Sequence, residues 1–431
     1  MKKYICCLLV ALLLLAGCGS KETKTEEKVE VNVIQQVEEL IKNTPAPSEA
    51  PSETTAEQPT IHGYDGFLNA LSAAVIDGKG NENLSPVSVY LAVAMAAEGS
   101  QGETLSELLA LLGADSREDL RKNAEAMINA LSIQGRDSEL VLANSLWMSD
   151  RLSYRSEALE NLAQYYYASS FRGRMGDPAY DRMLQDWINE QTGGLLEQQA
   201  SGLHMDPRTL LAIATTIYYK ARWSNEFSES ATYPDLFHGT KGDTTAQYLH
   251  SEGTGVYYWG DRFAAVGLGL NSEGVMWFLL PDEGVSPEEL LGDPEAMRFL
   301  LGGQNDWENT KFLRIDLSVP KFDVSGDLDL SDGLKAMGVT DVFDDQISDF
   351  TPMTDMTGVY VSSASHAVRV KIDEEGVEAA AYTVMMTAGN AMPPDEVVEF
   401  KADRPFLFAL SDSSGLPLFL GVVNQTGISS E

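Results

Sequence analysis

Residues 370–383 read Val370-Lys371-Ile372-Asp373-Glu374-Glu375-Gly376-Val377-Glu378-Ala379-Ala380-Ala381-Tyr382-Thr383. This pattern suits a segment that enters an existing sheet as a new strand. Every second side chain of such a strand must fit the core beneath it. Counted from Val377, those are Val377, Ala379, Ala381, Thr383 and Met385, and none is charged. The alternate set (Glu378, Ala380, Tyr382, Val384, Met386) would face outward. A charge in the first set would jam insertion, and a proline would remove a ladder donor. The first proline after the run is Pro393. Without further context the same residues also read as a small-residue linker between two strands.

Patterns for other chemistry are missing. There is no G-x-S-x-G elbow, no G-x-x-x-x-G-K-[ST] loop and no H-E-x-x-H. The five histidines (His62, His204, His238, His250, His366) are scattered, with no metal-binding pair at helical spacing. Ser318-Val319-Pro320-Lys321 matches S-x-x-K, which needs Ser and Lys one helical turn apart. Here Pro320 closes a strand-like run, 313–319, so a helix is excluded. No metal or cofactor is implied.

The elements that must position such a segment span most of the chain. The 431 residues are 44% hydrophobic and 22% charged, as expected of a globular protein with a filled core. Formal charge is −35; after residue 60 the chain carries 24 basic against 56 acidic residues. So acidic a body repels phosphate backbones, which excludes nucleic acid as a partner. Helical periodicity marks 67–75, 87–98, 103–112, 117–131 and 180–191. Strand patterns mark 139–148, 213–219, 275–280, 313–319, 368–372, 406–410 and 418–423. Helices early and strands late, with no βαβ rhythm, point to an α+β fold.

The N-terminus has its own logic. Met1-Lys2-Lys3 is followed by an apolar run, 4–16, too short for a permanent membrane helix. Leu15-Ala16-Gly17-Cys18 resembles the cleavage box of bacterial lipoproteins. The resemblance implies that 1–17 is a signal peptide and that Cys18 is acylated, with enough chains for stable anchoring. Residues 18–60 then form a lipidated start and a tether rich in Pro, Ser, Thr and Glu. Residues 61–431 form the folded body. All three cysteines (Cys6, Cys7, Cys18) lie in the leader, so the body has no disulfide and depends on packing.

Several strings resemble the serpin family. Asn83-Leu84-Ser85-Pro86-Val87-Ser88, Leu142-Ala143-Asn144-Ser145-Leu146-Trp147 and Thr216-Ile217-Tyr218-Tyr219-Lys220-Ala221-Arg222-Trp223 are three of them. Leu279-Leu280-Pro281-Asp282-Glu283-Gly284, Val319-Pro320-Lys321-Phe322, Asp403-Arg404-Pro405-Phe406-Leu407-Phe408 and Pro417-Leu418-Phe419-Leu420-Gly421 follow in family order. The resemblance implies three β-sheets including a large sheet A, about nine helices and an exposed reactive-centre loop. It also implies a monomeric protease inhibitor, not an enzyme, whose loop is cut and inserts while the target protease stays covalently attached. Glu374, Gly376, Val377, Glu378, Ala379, Ala380, Ala381, Tyr382 and Thr383 match the hinge of inhibitory members. Ser85, Ser88, Thr215 and His366 would lie under the sheet, with Trp223 at its upper end. Where Thr215 stands the family usually has an Asn that bonds the histidine.

By family spacing the reactive bond joins Asn390 to Ala391, with Gly389 and Met392 as neighbouring choices. No Lys or Arg occurs from Ile372 to Phe400, which rules out trypsin-like targets. The small uncharged loop suits elastase-like or subtilisin-like serine proteases, papain-like cysteine proteases, or an asparaginyl-specific enzyme. The alternatives are a non-inhibitory serpin and a solute-binding surface lipoprotein. The expected location is extracytoplasmic, on the bacterial cell membrane through the lipid anchor. The protein should therefore partition into the detergent phase on cloud-point extraction, and Cys18→Ser should move it to the aqueous phase. Equal aqueous partitioning of both would remove the anchor.

Overall fold

The computed structural model describes residues 61–131, 138–272, 274–361, 364–377 and 395–427. Three runs in the later half, Val275–Pro281 (β8), Phe406–Ser411 (β14) and Pro417–Val423 (β15), are buried at nearly every position. Only a strand covered on both faces can hide so continuous an apolar run. They lie side by side in a nine-stranded sheet. Its order is Glu82–Leu84 (β1), β15, β14, β8, Phe263–Gly269 (β7), Gly242–Trp259 (β6), Thr310–Pro320 (β9) and Val397–Lys401 (β13). Tyr233–Gly239 (β5) also pairs with β6. Ser318 lies within β9, as its flanking Pro320 requires, and its hydroxyl meets Tyr233 rather than a lysine.

A second sheet is divided. Four strands run in the order Gly376–Val377 (β12), Leu211–Arg222 (β4), Ser138–Ser149 (β2) and Ser169–Gly173 (β3). Asp323–Asp329 (β10) and Ser365–Lys371 (β11) form a separate pair. Among the described residues no ladder joins β4 to β11, and β12 is their only bridge, through the Ile372–Val377 contact. The large sheet expected from the family strings is thus present in two parts.

The helices wrap these sheets. They are Tyr64–Val75 (α1), Pro86–Gly99 (α2), Gly102–Leu112 (α3), Arg117–Leu131 (α4), Ser156–Tyr166 (α5), Pro178–Gln191 (α6), Glu197–Ser201 (α7), Pro287–Leu291 (α8), Pro294–Leu300 (α9) and Ser331–Ala336 (α10). Ten among the described residues agree with the roughly nine that the resemblance implies, against the five marked by periodicity. Short helices such as α7 and α8 contain too few turns for a periodicity to register.

Helix α2 is central. Ser85 caps it by accepting from the Ser88 N–H, Pro86 occupies its first turn, and all its residues except Ala92 are buried. A helix apolar on every side belongs inside a core rather than on it. Its one charged residue, Glu98, is 3% exposed. Arg121 of α4 meets its carboxylate with two bonds, 3.0 and 2.6 Å, and Asn161 of α5 adds a third at 3.1 Å. Left unpaired, a charge at that depth would cost several kcal/mol.

Candidate functional site: the hinge and the slot beside it

At the upper end of β4, Trp223 is nearly enclosed, with its ring edge-on to Phe227, centroids 5.9 Å apart. The indole Nε1 donates to the Asp373 carbonyl at 2.8 Å. The backbone N–H groups of Trp223 and Phe227 donate to the carbonyls of Glu375 and Glu374, at 3.1 and 3.0 Å. Residues 373–375 are therefore fastened by their backbone, independent of side-chain identity. Asp373 then accepts from the N–H groups of Glu375 and Gly376, at 3.0 and 3.3 Å, and turns the chain back.

Glu374 is fixed a second time by its side chain. It forms an ion pair with Lys321 and accepts from Thr232 Oγ1 at 2.9 Å. Partial burial pushes its carboxyl up, but Lys321 and Thr232 outweigh this and hold it below the ordinary carboxylate value. Glu375 points to solvent and reaches Arg222 only at 3.9 Å.

The chain after this turn enters the sheet. Gly376 and Val377 pair antiparallel with Arg222 and Ala221 of β4. Here glycine is required by space. A Cβ on Gly376 would lie 2.3 Å from the Ala221 carbonyl oxygen and 2.6 Å from the Arg222 Cα, both backbone atoms that cannot swing away. Val377 faces the core, 4% exposed.

Below this point a cavity of about 360 Å³ occupies the division between β4 and β11. Ala212, Ala214 and Thr216 line one side, Ala364 and Ala367 the other, and α2 and α6 contribute Val93 and Ile188. The bordering side chains are mostly small or apolar. Thr216 Oγ1 is buried there with no hydrogen-bond partner among the described residues.

A second cluster lies under this slot. His366 of β11 accepts on Nε2 from the Ser85 N–H at 2.9 Å, which leaves its proton on Nδ1. Ser88 Oγ donates to Ser85 Oγ at 3.2 Å, and Thr215 Oγ1 donates to the Ser88 carbonyl at 3.0 Å. Thr215 thus enters the cluster through Ser88, and its hydroxyl bonds that carbonyl rather than the His366 ring. The ring is buried, which lowers its pKa from 6.5 to about 4 and keeps it neutral.

The structure therefore gathers Glu374, Gly376, Val377 and Trp223 at one end of β4. Ser85, Ser88, Thr215 and His366 meet farther down, and the two groups do not touch. Glu378, Ala379, Ala380, Ala381, Tyr382, Thr383, Asn390, Ala391 and Cys18 lie outside the described residues. Lys321, Thr232 and Asp373 escaped the sequence reading. Lys321 stood in a quoted family string, but nothing there tied it to Glu374. Asn83 was likewise quoted without a role, and its amide donates to the Val324 carbonyl at 2.8 Å, joining β1 to β10.

The profile of the serpin (serine protease inhibitor) family matches residues 66–426. The chain is a serpin. A serpin-like protein of Thermococcus kodakarensis, itself uncharacterized, is 29% identical over 374 residues, 85% of each chain. Human leukocyte elastase inhibitor is 28% identical over 353 residues, 79% of this chain and 92% of that protein. Among solved structures, the thermophilic serpin tengpin in its native state aligns with a TM-score of 0.76 at 26% identity, covering 88% of this chain and 98% of that one. Serpins are generally protease inhibitors rather than enzymes, and this chain carries the serpin fold with its divided large sheet.

Two outcomes follow from the geometry. Gly376→Ala should expel β12 from the sheet, which amide hydrogen exchange would register as lost protection at Val377 and Ala221; unchanged protection would contradict the close-approach argument. For His366, the folded-state pKa lies below the unfolded value. The unfolded chain therefore binds more protons between pH 6.5 and about 4. The histidine's contribution is complete above 6.5 and is lost as pH falls toward 4, on the order of 3 kcal/mol. Between pH 6.5 and 5 the melting temperature should fall, and fall less in His366→Gln. Parallel slopes would show that His366 does not carry the effect.

Proposed function

We propose that this serpin inhibits proteases by cleavage-driven insertion of its hinge. The carrying observation is that Gly376–Val377 already occupies the first two places of a strand between β4 and β11. Continuing the β4 register places Ala379 opposite Tyr219, Ala381 opposite Ile217 and Thr383 opposite Thr215. Continuing the hairpin register on the other side places Thr383 opposite His366. The inserted strand would thus fill the slot with small side chains and end its first turn of the ladder over the lower cluster. Each ladder hydrogen bond contributes about 1 kcal/mol net, and those on the two edges of an inserted strand would act together.

In the chemical step the protease nucleophile attacks the Asn390 carbonyl. The Asn390–Ala391 amide breaks, the Ala391 amine leaves with a proton, and residue 390 remains bound as an acyl group. The freed hinge then enters the slot and carries the acyl-protease along the sheet before water can release it. The absence of Lys and Arg from 372 to 400 favours elastase-like or subtilisin-like serine proteases or papain-like cysteine proteases. The resemblance of human leukocyte elastase inhibitor supports the first of these. The same reading places the protein outside the cytoplasm, a monomer anchored to the cell membrane through acylated Cys18.

The protein incubated with elastase, subtilisin, chymotrypsin and papain should give a band at the summed mass that survives boiling in detergent. The released peptide should begin at Ala391. In Thr383→Arg a guanidinium would have to be buried beside Thr215 and His366, at a cost of several kcal/mol. Each 1.4 kcal/mol slows insertion about tenfold against deacylation. That variant should be cut at the same bond but leave the protease active. Cleavage of the wild type with no covalent band and no rise in melting temperature would sink inhibition and leave a non-inhibitory serpin.

A further inference from the structure

The division between β4 and β11 has a roof, and the roof is fastened on both sides. Helices α6 and α7 sit on the β2–β4 half through a satellite core of their own. Leu184, Ile188, Leu196 and Ala200 pack there with Trp147 of β2 and Phe171 of β3, whose rings stack at 4.2 Å. The connection between the two helices is tied to the other half. The Leu195 carbonyl accepts from Arg369 Nη1 of β11 at 3.0 Å. The same guanidinium meets Asp323 of β10 with two bonds, Nε to Oδ1 at 2.7 Å and Nη2 to Oδ2 at 2.6 Å.

Leu184, Ile188 and Leu196 also line the cavity, together with Ala214 of β4 and Ala367 of β11, so this roof stands over the slot. Side chains alternate between the two faces of a strand. Val368 and Val370 are buried on the inner face, which leaves Ala367 and Arg369 on the roof's side. Any strand that lengthens β12 into the slot must therefore send every second side chain up against the roof. The roof has to yield, and magnitudes decide where. Nine buried apolar residues hold it on the β4 side, and their burial outweighs one hydrogen bond several-fold. The bond to Leu195 opens before the core does.

We infer that Arg369 is a clasp on this roof: its bond to Leu195 holds α6 and α7 down over the slot, and release of that bond sets the rate of strand insertion. The inference rests on the inhibitory reading above. Asp323 is a positioning residue, since its two bonds fix the planar fork from which the third donor reaches Leu195. The satellite core is then the hinge of the roof and Arg369 its fastening. The bond is made only while the roof is down. It belongs to the form before insertion and not to the form after.

The test compares wild type with Arg369→Met, which loses every donor, and Arg369→Lys, which keeps one charged donor group. In the uncut Met variant the amides of Gly194, Leu195 and Ala200 should exchange about tenfold faster, and those of β14 and β15 as in wild type. Each chain is then mixed with a saturating amount of whichever protease gives the covalent band, and insertion is followed by stopped-flow tryptophan fluorescence, with Trp187 of α6 as reporter. The Met variant should insert about tenfold faster, and the Lys variant should fall between it and wild type. The melting temperature should drop in the uncut form alone, because the bond exists only there. Equal drops in the cut and uncut forms would make Arg369 a structural residue and overturn the clasp. Insertion rates within about twofold of wild type would overturn it while leaving inhibition intact. If cutting the wild type gives neither a covalent band nor a rise in melting temperature, the inhibitory reading fails and the clasp falls with it.

Discussion

The constraint on which this molecule depends is the open second edge of β4. A strand inside a sheet ordinarily has a neighbour on each side, and its backbone groups are strongly disposed to find one. Here β2 takes one edge along its full length, while the edge toward β11 is met by Gly376 and Val377. Below Val377, no described strand occupies the place between β4 and β11.

The features that hold it are local and individually modest. Trp223 and Phe227 grip the backbone of 373–375, and Lys321 and Thr232 grip the Glu374 side chain. Lower down, the His366 ring ties β11 to the start of α2 through one bond to Ser85. A half-buried ion pair and five hydrogen bonds amount to roughly 5 kcal/mol. A completed strand with a ladder on both edges offers more. Under the proposed mechanism, cutting the loop would free the hinge from β13 and let it complete the strand.

Much of this was legible in the sequence. The continuous apolar runs of β8, β14 and β15 announced buried strands, and the helical periodicity of 87–98 announced α2. Of the uncharged alternation that starts at Val377, the structure describes Val377 itself, which faces the core. What was not legible shares one cause: it joins residues far apart in the chain. Lys321 meets Glu374, Thr232 reaches the same carboxylate, and Asn83 bonds Val324; no local periodicity encodes such pairs. Strands β5, β6 and β7 were missed because polar residues and glycines interrupt their alternation along exposed stretches. Gly376 was read through its resemblance to the hinge, and only the 2.3 Å approach to the Ala221 oxygen gives the physical reason for it.

A body without disulfides that keeps one sheet divided must be secured elsewhere, and the nine-stranded sheet does this. Its central strands are buried on both faces, and aromatic side chains interlock around it. Phe299 packs edge-on against Tyr258, Trp277 and Trp307 at 5.0–5.5 Å, and Phe406 lies between Phe237, Phe278 and Phe322. Such contacts exceed simple area burial by about 1 kcal/mol each. The division of labour follows. One sheet supplies rigidity and carries the strand after the loop; the other is left unfinished, with Ala212, Ala214, Ala364 and Ala367 bordering its slot with small side chains. An insertion mechanism requires both, because a strand can be driven into one sheet only if the rest of the molecule does not yield first.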